Sequence, residues 1–444
     1  MSSRILIIGA GRSSSALIKY CLDKSEELSW TVTVADADPA VAAAKVAGHP
    51  RGASAWLDVT KVNDRRDLIG RADMVVSLLP AHLHLEVARD CIRLKKNLVT
   101  ASYVSHEMFR LGDEARERDL IFMGEMGLDP GIDHMTAMQR LNEIREKGGD
   151  ITAFRSFTGG LIAPESNDNP WGYKFTWNPR NVVLAGQGTA QYLQNQKLKF
   201  LPYQRLFKQT WDVEVPGVGK FEAYANRDSL LYRKQYGLHS IPTILRGTLR
   251  YPGFAAAWDA LVEIGLTNAD FPILDSIKIT YHELMEALAP SGPGSVKDRI
   301  AGMIGVEPNG EVMKRLVWLG LFTKKKIKLR DATPALILER LLLDKWKLAP
   351  EDKDLIVMQH QIDYELDGKK YRDISNLTMK GENAEDTAMS RLVGLPMGIF
   401  VRLISQGAIK STGVHIPTMK EVYEPVLEEM KSFGMELTHT TEEI

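Results

Sequence analysis

The first 130 residues alternate short apolar runs with helical stretches, a pattern that few folds accept. The runs "RILII", "TVTVADAD", "ASAWLDV", "ADMVVSLLP", "NLVTASYV" and "LIFMG" are rich in aliphatic and β-branched residues. Between several of them lie segments such as "SSSALIKYCLDK" and "LHLEVARDCIRLKK", whose spacing of apolar residues is helical. A strand apolar throughout must be covered on both faces, and strands joined through helices run parallel. The expected fold class is therefore α/β, opening on a doubly wound parallel sheet. A chain of 444 residues exceeds one ordinary core, so two or three domains are expected.

The first run ends in "GAGRSS" and feeds a helix, which is the context of a dinucleotide-binding turn in a Rossmann domain. Gly9 permits the tight turn and Gly11 lets the backbone approach a pyrophosphate at the helix N-terminus. Ser14 stands where a third glycine is usual and is small enough for close packing. Arg12 and Ser13 complete the phosphate turn. Asp36 ends the second run, where an acid binds the ribose hydroxyls of NAD. Asp38 follows it, and no arginine or lysine stands beside them to take a 2′-phosphate, so NAD is expected over NADP. Arg12 is the one cation that could reach such a phosphate from the other side. Asp58 is a candidate for the adenine rim, and Leu79 and Pro80 close the fourth run where the nicotinamide half should lie.

Ligands of open α/β sheets sit outside the carboxyl ends of the strands. Two such ends are unusually furnished: "TASY", with Tyr103, and "GEMGLDPGIDHM", with Glu125, Asp129, Asp133 and His134. Either aspartate can cap the helix that begins near "IDHMTAMQRL". The sharper expectation is that Tyr103 and Asp129 meet the nicotinamide as catalytic residues, while Asp133 and His134 serve as cap and helix scaffold.

Beyond residue 150 the pattern changes. "ITAFRSFTGGL" and "QTWDVEVPGVGKFEAYAN" suit a mixed sheet, and the broken, aromatic-rich segment 163–179 suits a substrate-covering loop. Arg227, Arg246 and Arg250 fall close together, and arginine's planar fork binds carboxylates, so an acidic substrate is expected. Residues 276–349 are dominated by helix formers, and "DLIVMQHQIDYEL" and "KKYRDISNLTM" flank Asp367-Gly368, a hairpin signal. The expected domains are 1–130, a Rossmann unit completed by 385–444; 131–275 with 350–384, a mixed-sheet substrate domain; and 276–349, an inserted helical domain. The tail "THTTEEI" is expected to fray.

A net charge of −1 offers no footprint for nucleic acid, and no apolar run is long enough for a membrane span. Cys21 and Cys91 are the only cysteines, too few for a disulfide framework and in keeping with a reducing cytoplasm. His82 and His84 form the only close histidine pair, and no metal site is expected.

With these residues in hand, the chain resembles saccharopine dehydrogenases of the glutamate-forming type over nearly its whole length. It is closer still to the saccharopine dehydrogenase half of the bifunctional lysine-degrading enzyme of animals. The carrying stretches are "VTASYV", "GEMGLDPGIDHM", "GGLIAPESNDNP", "YKFTWNP", "ANRDS", "ILRGTLRYPG", "DLIVMQH" and "VGLPM". The resemblance implies a homodimeric oxidoreductase that converts saccharopine to glutamate and 2-aminoadipate 6-semialdehyde with a nicotinamide cofactor. It assigns substrate contacts to Tyr103, Asp129, Trp177, Arg227, Thr248 and Arg250, and places Thr158 and Gly159 at the substrate. Many relatives have cysteine where this chain has Thr158, so a titrating thiol there is not essential here. Fungal NADP-using relatives have arginine where this chain has Ala37, which again implies NAD and the degradative direction. A related reductase of a carboxylated polyamine would need fewer carboxylate partners than these arginines offer. A non-catalytic NAD sensor would have no use for the polar strand ends.

Overall fold

A computed structural model describes residues 3–444, and the chain divides into two contact units. One runs to Gly149 and resumes over Met379–Leu437; the other spans Asp150–Thr378 and Thr438–Ile444.

In the first unit seven strands form one sheet whose neighbouring pairs are all parallel. They are β1 (Ser3–Ile8), β2 (Trp30–Asp36), β3 (Gly52–Trp56), β4 (Met74–Ser77), β5 (Asn97–Thr100), β6 (Ile121–Met123) and Gly413–His415. The spatial order is Gly413–His415, β6, β5, β4, β1, β2, β3, so the winding reverses between β1 and β4. That reversal opens a crevice at the carboxyl ends, the place where such sheets bind ligands. Ile5, Leu6, Ile7 and Ile8 of β1 are all buried, without alternation, because helices cover both faces. Gly9 follows at φ +105°, and a Cβ there would lie 3.0 Å from the Leu78 carbonyl oxygen, so the turn requires glycine.

Helix Ala388–Ser405 returns to this unit and lies on helix Ser15–Asp23. A Cβ at Gly394 would meet the Leu17 nitrogen at 2.7 Å, and one at Gly398 the Tyr20 ring at 2.6 Å, so the two glycines set this close approach. Among the described residues it is the one helix long and apolar enough to cross a membrane, yet 72% of that stretch is buried inside the protein. Helix Ile132–Glu146 also belongs to the first unit, where Asn142 bonds Tyr423 at 2.9 Å. The boundary therefore falls at residue 149 rather than 130.

The second unit is a nine-stranded mixed sheet. Its strands are β7 (Asp150–Ile162), β8 (Ala190–Gln194), β9 (Lys197–Leu201), β10 (Thr210–Val215), β11 (Gly219–Ala225), β12 (Thr243–Arg250), β13 (Asp354–Leu366), β14 (Lys369–Lys380) and Leu437–Glu443. The main path runs β10, β11, β12, β7, β13, β14, Leu437–Glu443, with β8 and β9 off it. β7 is parallel to β12 and antiparallel to β13. Asp367 and Gly368 turn the β13–β14 hairpin at φ +51° and +76°, the twist that an Asp-Gly pair favours.

Two further expectations are corrected here. The tail does not fray: Leu437–Glu443 is an edge strand, and Thr441 bonds Asp373 at 2.9 Å. Its polar residues disguise it, because an edge strand is held by backbone pairing and leaves its side chains in water. The 276–349 segment is helical but has no core of its own. Trp346 is fully buried and stacks on Trp258 at 5.9 Å, within one cluster that also holds β7 and β12 residues. Segment 163–179 is irregular, as expected, and anchored, with Trp171, Tyr173, Phe175 and Lys174 buried. Asn169 Oδ1 accepts from the Trp171 amide at 3.0 Å, and Lys174 bonds Asp352 at 2.7 Å.

Candidate active site

The nucleotide half follows from the β1 turn. A Cβ built on Gly11 meets nothing within 4 Å, leaving the open cradle that a pyrophosphate needs. The short turn Arg12–Ser14 carries no side-chain cap and leads into helix Ser15–Asp23, which begins at that cradle and whose Ala16 amide donates to the Ser390 hydroxyl at 3.1 Å. Ser14 is buried and donates to the Gly11 carbonyl at 2.8 Å, while Arg12 is exposed. Asp36 is half-buried at the end of β2; one carboxylate oxygen accepts from the Ala10 amide at 2.7 Å and the other from the Asp38 amide at 2.9 Å. A carboxylate has about four acceptor sites, so both oxygens keep one for a ribose hydroxyl. Asp38 caps helix Pro39–Val46 through the Ala40 amide. Leu79 and Pro80 lie just past β4, following Leu78, which packs against Gly9. Asp58 differs from expectation: it accepts from both the amide and the hydroxyl of Thr60, which hold its carboxyl below the usual range, so the structure gives it a local turn role. These features fit a pyridine dinucleotide.

The next strand ends are tied side by side. The Tyr103 hydroxyl donates to Asp129 Oδ1 at 3.0 Å, and both residues are half-buried. Asp129 sits on a loop held from behind by a buried set: His134 Nε2 meets Glu125 Oε2 at 2.8 Å, and the Gly131 amide donates to Asp133 Oδ1 at 2.6 Å. Glu125 also accepts from the Val104 amide at 3.0 Å, which couples the β6 loop to the residues around Tyr103. Asp133 and His134 thus have the geometry of scaffold.

One residue, His84, was met in the sequence only as half of a close histidine pair and was given no role. His84 is buried, with Nδ1 2.9 Å from the Ser77 hydroxyl and Nε2 2.8 Å from the Ser102 hydroxyl. A serine at one strand end, a serine past the next and a histidine opening the intervening helix were the available signal. Burial, with a smaller push from His82, lowers its pKa to about 4. The unfolded chain protonates this site below about pH 6.5 and the folded chain only below about 4, so folding stability is lost as pH falls through that window. The contribution approaches roughly 3 kcal/mol at the acid end. Urea unfolding at pH 7 and pH 4.5 should show a smaller loss of stability for His84→Gln than for the parent; equal losses would remove His84 from the acid sensitivity.

In the second unit, Arg246, Thr248 and Arg250 alternate along β12 and so share one face of the sheet. Thr158 of β7 is in register with Thr248. A Cβ at the next residue, Gly159, would lie 2.8 Å from Leu249, so only glycine lets β7 and β12 pack there. Arg246 is buried with its guanidinium 4.4 Å from the Tyr232 ring centre. Arg250 is buried among Tyr173, Phe254 and Tyr224, at 5.0, 5.3 and 6.0 Å from their ring centres. Its Nη1 donates to the Leu249 carbonyl at 2.8 Å, its Nε has no partner, and no carboxylate pairs with it among the described residues. Trp177 donates from Nε1 to the Tyr173 hydroxyl at 3.1 Å, which joins it to this group. Arg227 occupies a left-handed turn at φ +52° just past β11. The aromatic residues around Arg250 were not foreseen; their signal was the density of rings in "WGYKFTW".

Residues 5–123 match the saccharopine dehydrogenase NADP binding domain family, and residues 127–435 match the saccharopine dehydrogenase C-terminal domain family. The saccharopine dehydrogenase (NADP(+), L-glutamate-forming) of Saccharomyces cerevisiae is 32% identical over 451 residues, covering 99% of this chain and 100% of that protein. The alpha-aminoadipic semialdehyde synthase of Arabidopsis thaliana is 32% identical over 483 residues, and the chain spans 45% of its length. A solved structure of apo saccharopine dehydrogenase (L-Glu forming) from Saccharomyces cerevisiae superposes with a TM-score of 0.86 at 30% identity, over 99% of this chain and 100% of that one.

Proposed function

The chain belongs to the saccharopine dehydrogenase family, and from that membership we propose that it oxidises saccharopine, with NAD in preference to NADP, to glutamate and 2-aminoadipate 6-semialdehyde. The observation that carries the reading is the bond from Tyr103 to Asp129 beside a dinucleotide crevice. A pyridine nucleotide bound in that crevice supplies the hydride acceptor. The Tyr103–Asp129 pair takes a proton from the substrate nitrogen before hydride loss and another from the water that attacks the imine carbon. It returns one to the nitrogen as the C–N bond of the carbinolamine breaks, the carbinolamine hydroxyl gives its proton to the departing amine, which leaves as an ammonium, and the other proton is released to solvent. The bond from the Tyr103 hydroxyl to Asp129 Oδ1 lets the two groups share these transfers.

The substrate is a secondary amine with three carboxylates, and Arg250, Arg246 and Arg227 are the groups suited to them. Arg250 supports this most strongly, because its buried guanidinium has no carboxylate partner among the described residues and a buried charge is stabilised by an opposite one. Replacing Arg227 with alanine should chiefly raise the saccharopine KM; an unchanged KM would remove that arginine from substrate binding.

The names of the fungal relatives and of the amino-terminal family point to NADP, whereas the chemistry at the end of β2 favours NAD. A 2′-phosphate would meet Asp36 and Asp38, and like charges so placed cost several kcal/mol. Preference for NAD in turn favours the oxidative, degradative direction. The kcat/KM with NAD should exceed that with NADP by about 10²-fold, and Asp36→Ser combined with Ala37→Arg should reverse the order. A parent enzyme that prefers NADP would overturn this assignment and leave the substrate reading intact.

A further inference from the structure

We infer that His84 is a positioning residue for the reaction, acting on Tyr103 by pinning Ser102 to the end of β4. The inference rests on the proposed function for its kinetic consequence but on geometry for its mechanism. Both chain neighbours of Tyr103 are fixed. Ser102 accepts the Glu125 amide at its carbonyl (3.1 Å) and meets His84 Nε2 at its hydroxyl (2.8 Å). Val104 donates its amide to Glu125 Oε1 at 3.0 Å. Glu125 holds the side toward β6, and His84 holds the side toward β4, through Ser77 at 2.9 Å.

Neutral imidazole donates from one nitrogen and accepts at the other, so it can bridge two hydroxyls without placing a charge in the buried space. Phenylalanine would fill the same volume and break both links. The Tyr103 ring then gains freedom, and its hydroxyl no longer meets Asp129 in one orientation. Misplacement of about 1 Å remote from the chemistry can cost about 10²-fold in rate.

Glutamine and asparagine separate the two links, because the glutamine amide reaches the position of Nε2 and the asparagine amide that of Nδ1. His84→Phe should lower kcat for saccharopine oxidation by about 10²-fold while NADH binding changes little. His84→Gln, which can still reach Ser102, should recover much of that loss, and His84→Asn should not. The deciding measurement is a double-mutant cycle: in a Tyr103→Phe background, His84→Phe should lower kcat no further. Equal losses in both backgrounds would overturn the inference, because a residue that merely supports the fold acts whether or not the phenol is present. Should the parent prove inactive on saccharopine, the proposed function fails separately, and NMR of 13C-labelled tyrosine reads the His84 claim without turnover. The Tyr103 phenol signal must then shift and broaden in His84→Phe; an unchanged signal would refute the positioning role.

Discussion

Asp129→Asn is expected to lower kcat for saccharopine oxidation by about 10²- to 10⁴-fold, the range that a positioned acid–base group contributes. Asparagine keeps the shape of the side chain and can still accept the bond from the Tyr103 hydroxyl, which now reaches Asp129 at 3.0 Å. The substitution therefore removes the proton acceptor and little else. NADH affinity and the melting temperature should stay near the parent values, because the loop is held independently by Glu125, Asp133 and His134. Tyr103→Phe should cost less, since it loosens the carboxylate without deleting it. A kcat for Asp129→Asn within a few-fold of the parent would show that another group moves the protons.

Arg250→Gln should have the next largest effect, and on a different parameter. Each charge-assisted bond to a substrate carboxylate contributes about 1.5–3 kcal/mol, so losing a two-pronged contact should raise the saccharopine KM by about 10²-fold or more. The free enzyme should respond in the opposite sense. Among the described residues Arg250 is a buried cation with no carboxylate partner, held by the Leu249 carbonyl and three aromatic rings. Removing such a charge relieves a desolvation penalty. The melting temperature of Arg250→Gln should thus hold or rise while substrate affinity collapses. A fall in both would mean that the guanidinium serves the fold rather than a ligand.

The alternating strands of the first 130 residues were legible because a buried parallel strand leaves a continuous apolar run in the sequence. The glycine turn was legible for a related reason: Gly9 is forced by its φ and by Leu78, and Asp36 by its place at a strand end. Contacts between residues distant in sequence were not. Tyr103 and Asp129 were singled out separately, but 26 residues separate them, and only the pairing of β5 with β6 shows that they share a hydrogen bond. His84 was hidden in the same way, since its two serines lie on either side of it in sequence and meet it only in the fold.

Composition also misled in definable ways. Helix formers from 276 to 349 suggested a separate domain, but helical content does not reveal where a face packs, and Trp346 packs into the sheet's own core. The polar tail looked unfit for structure, yet backbone pairing is indifferent to side-chain polarity at a sheet edge. Proline and asparagine in 163–179 marked irregular backbone correctly, while the buried Trp171, Tyr173 and Phe175 made that backbone part of the core.

The central claim is tested most directly by incubating the purified protein with saccharopine and either NAD or NADP, following absorbance of the reduced nucleotide and assaying glutamate. Stoichiometric appearance of reduced nucleotide and glutamate, faster with NAD, is the predicted result; no turnover with either nucleotide would contradict it.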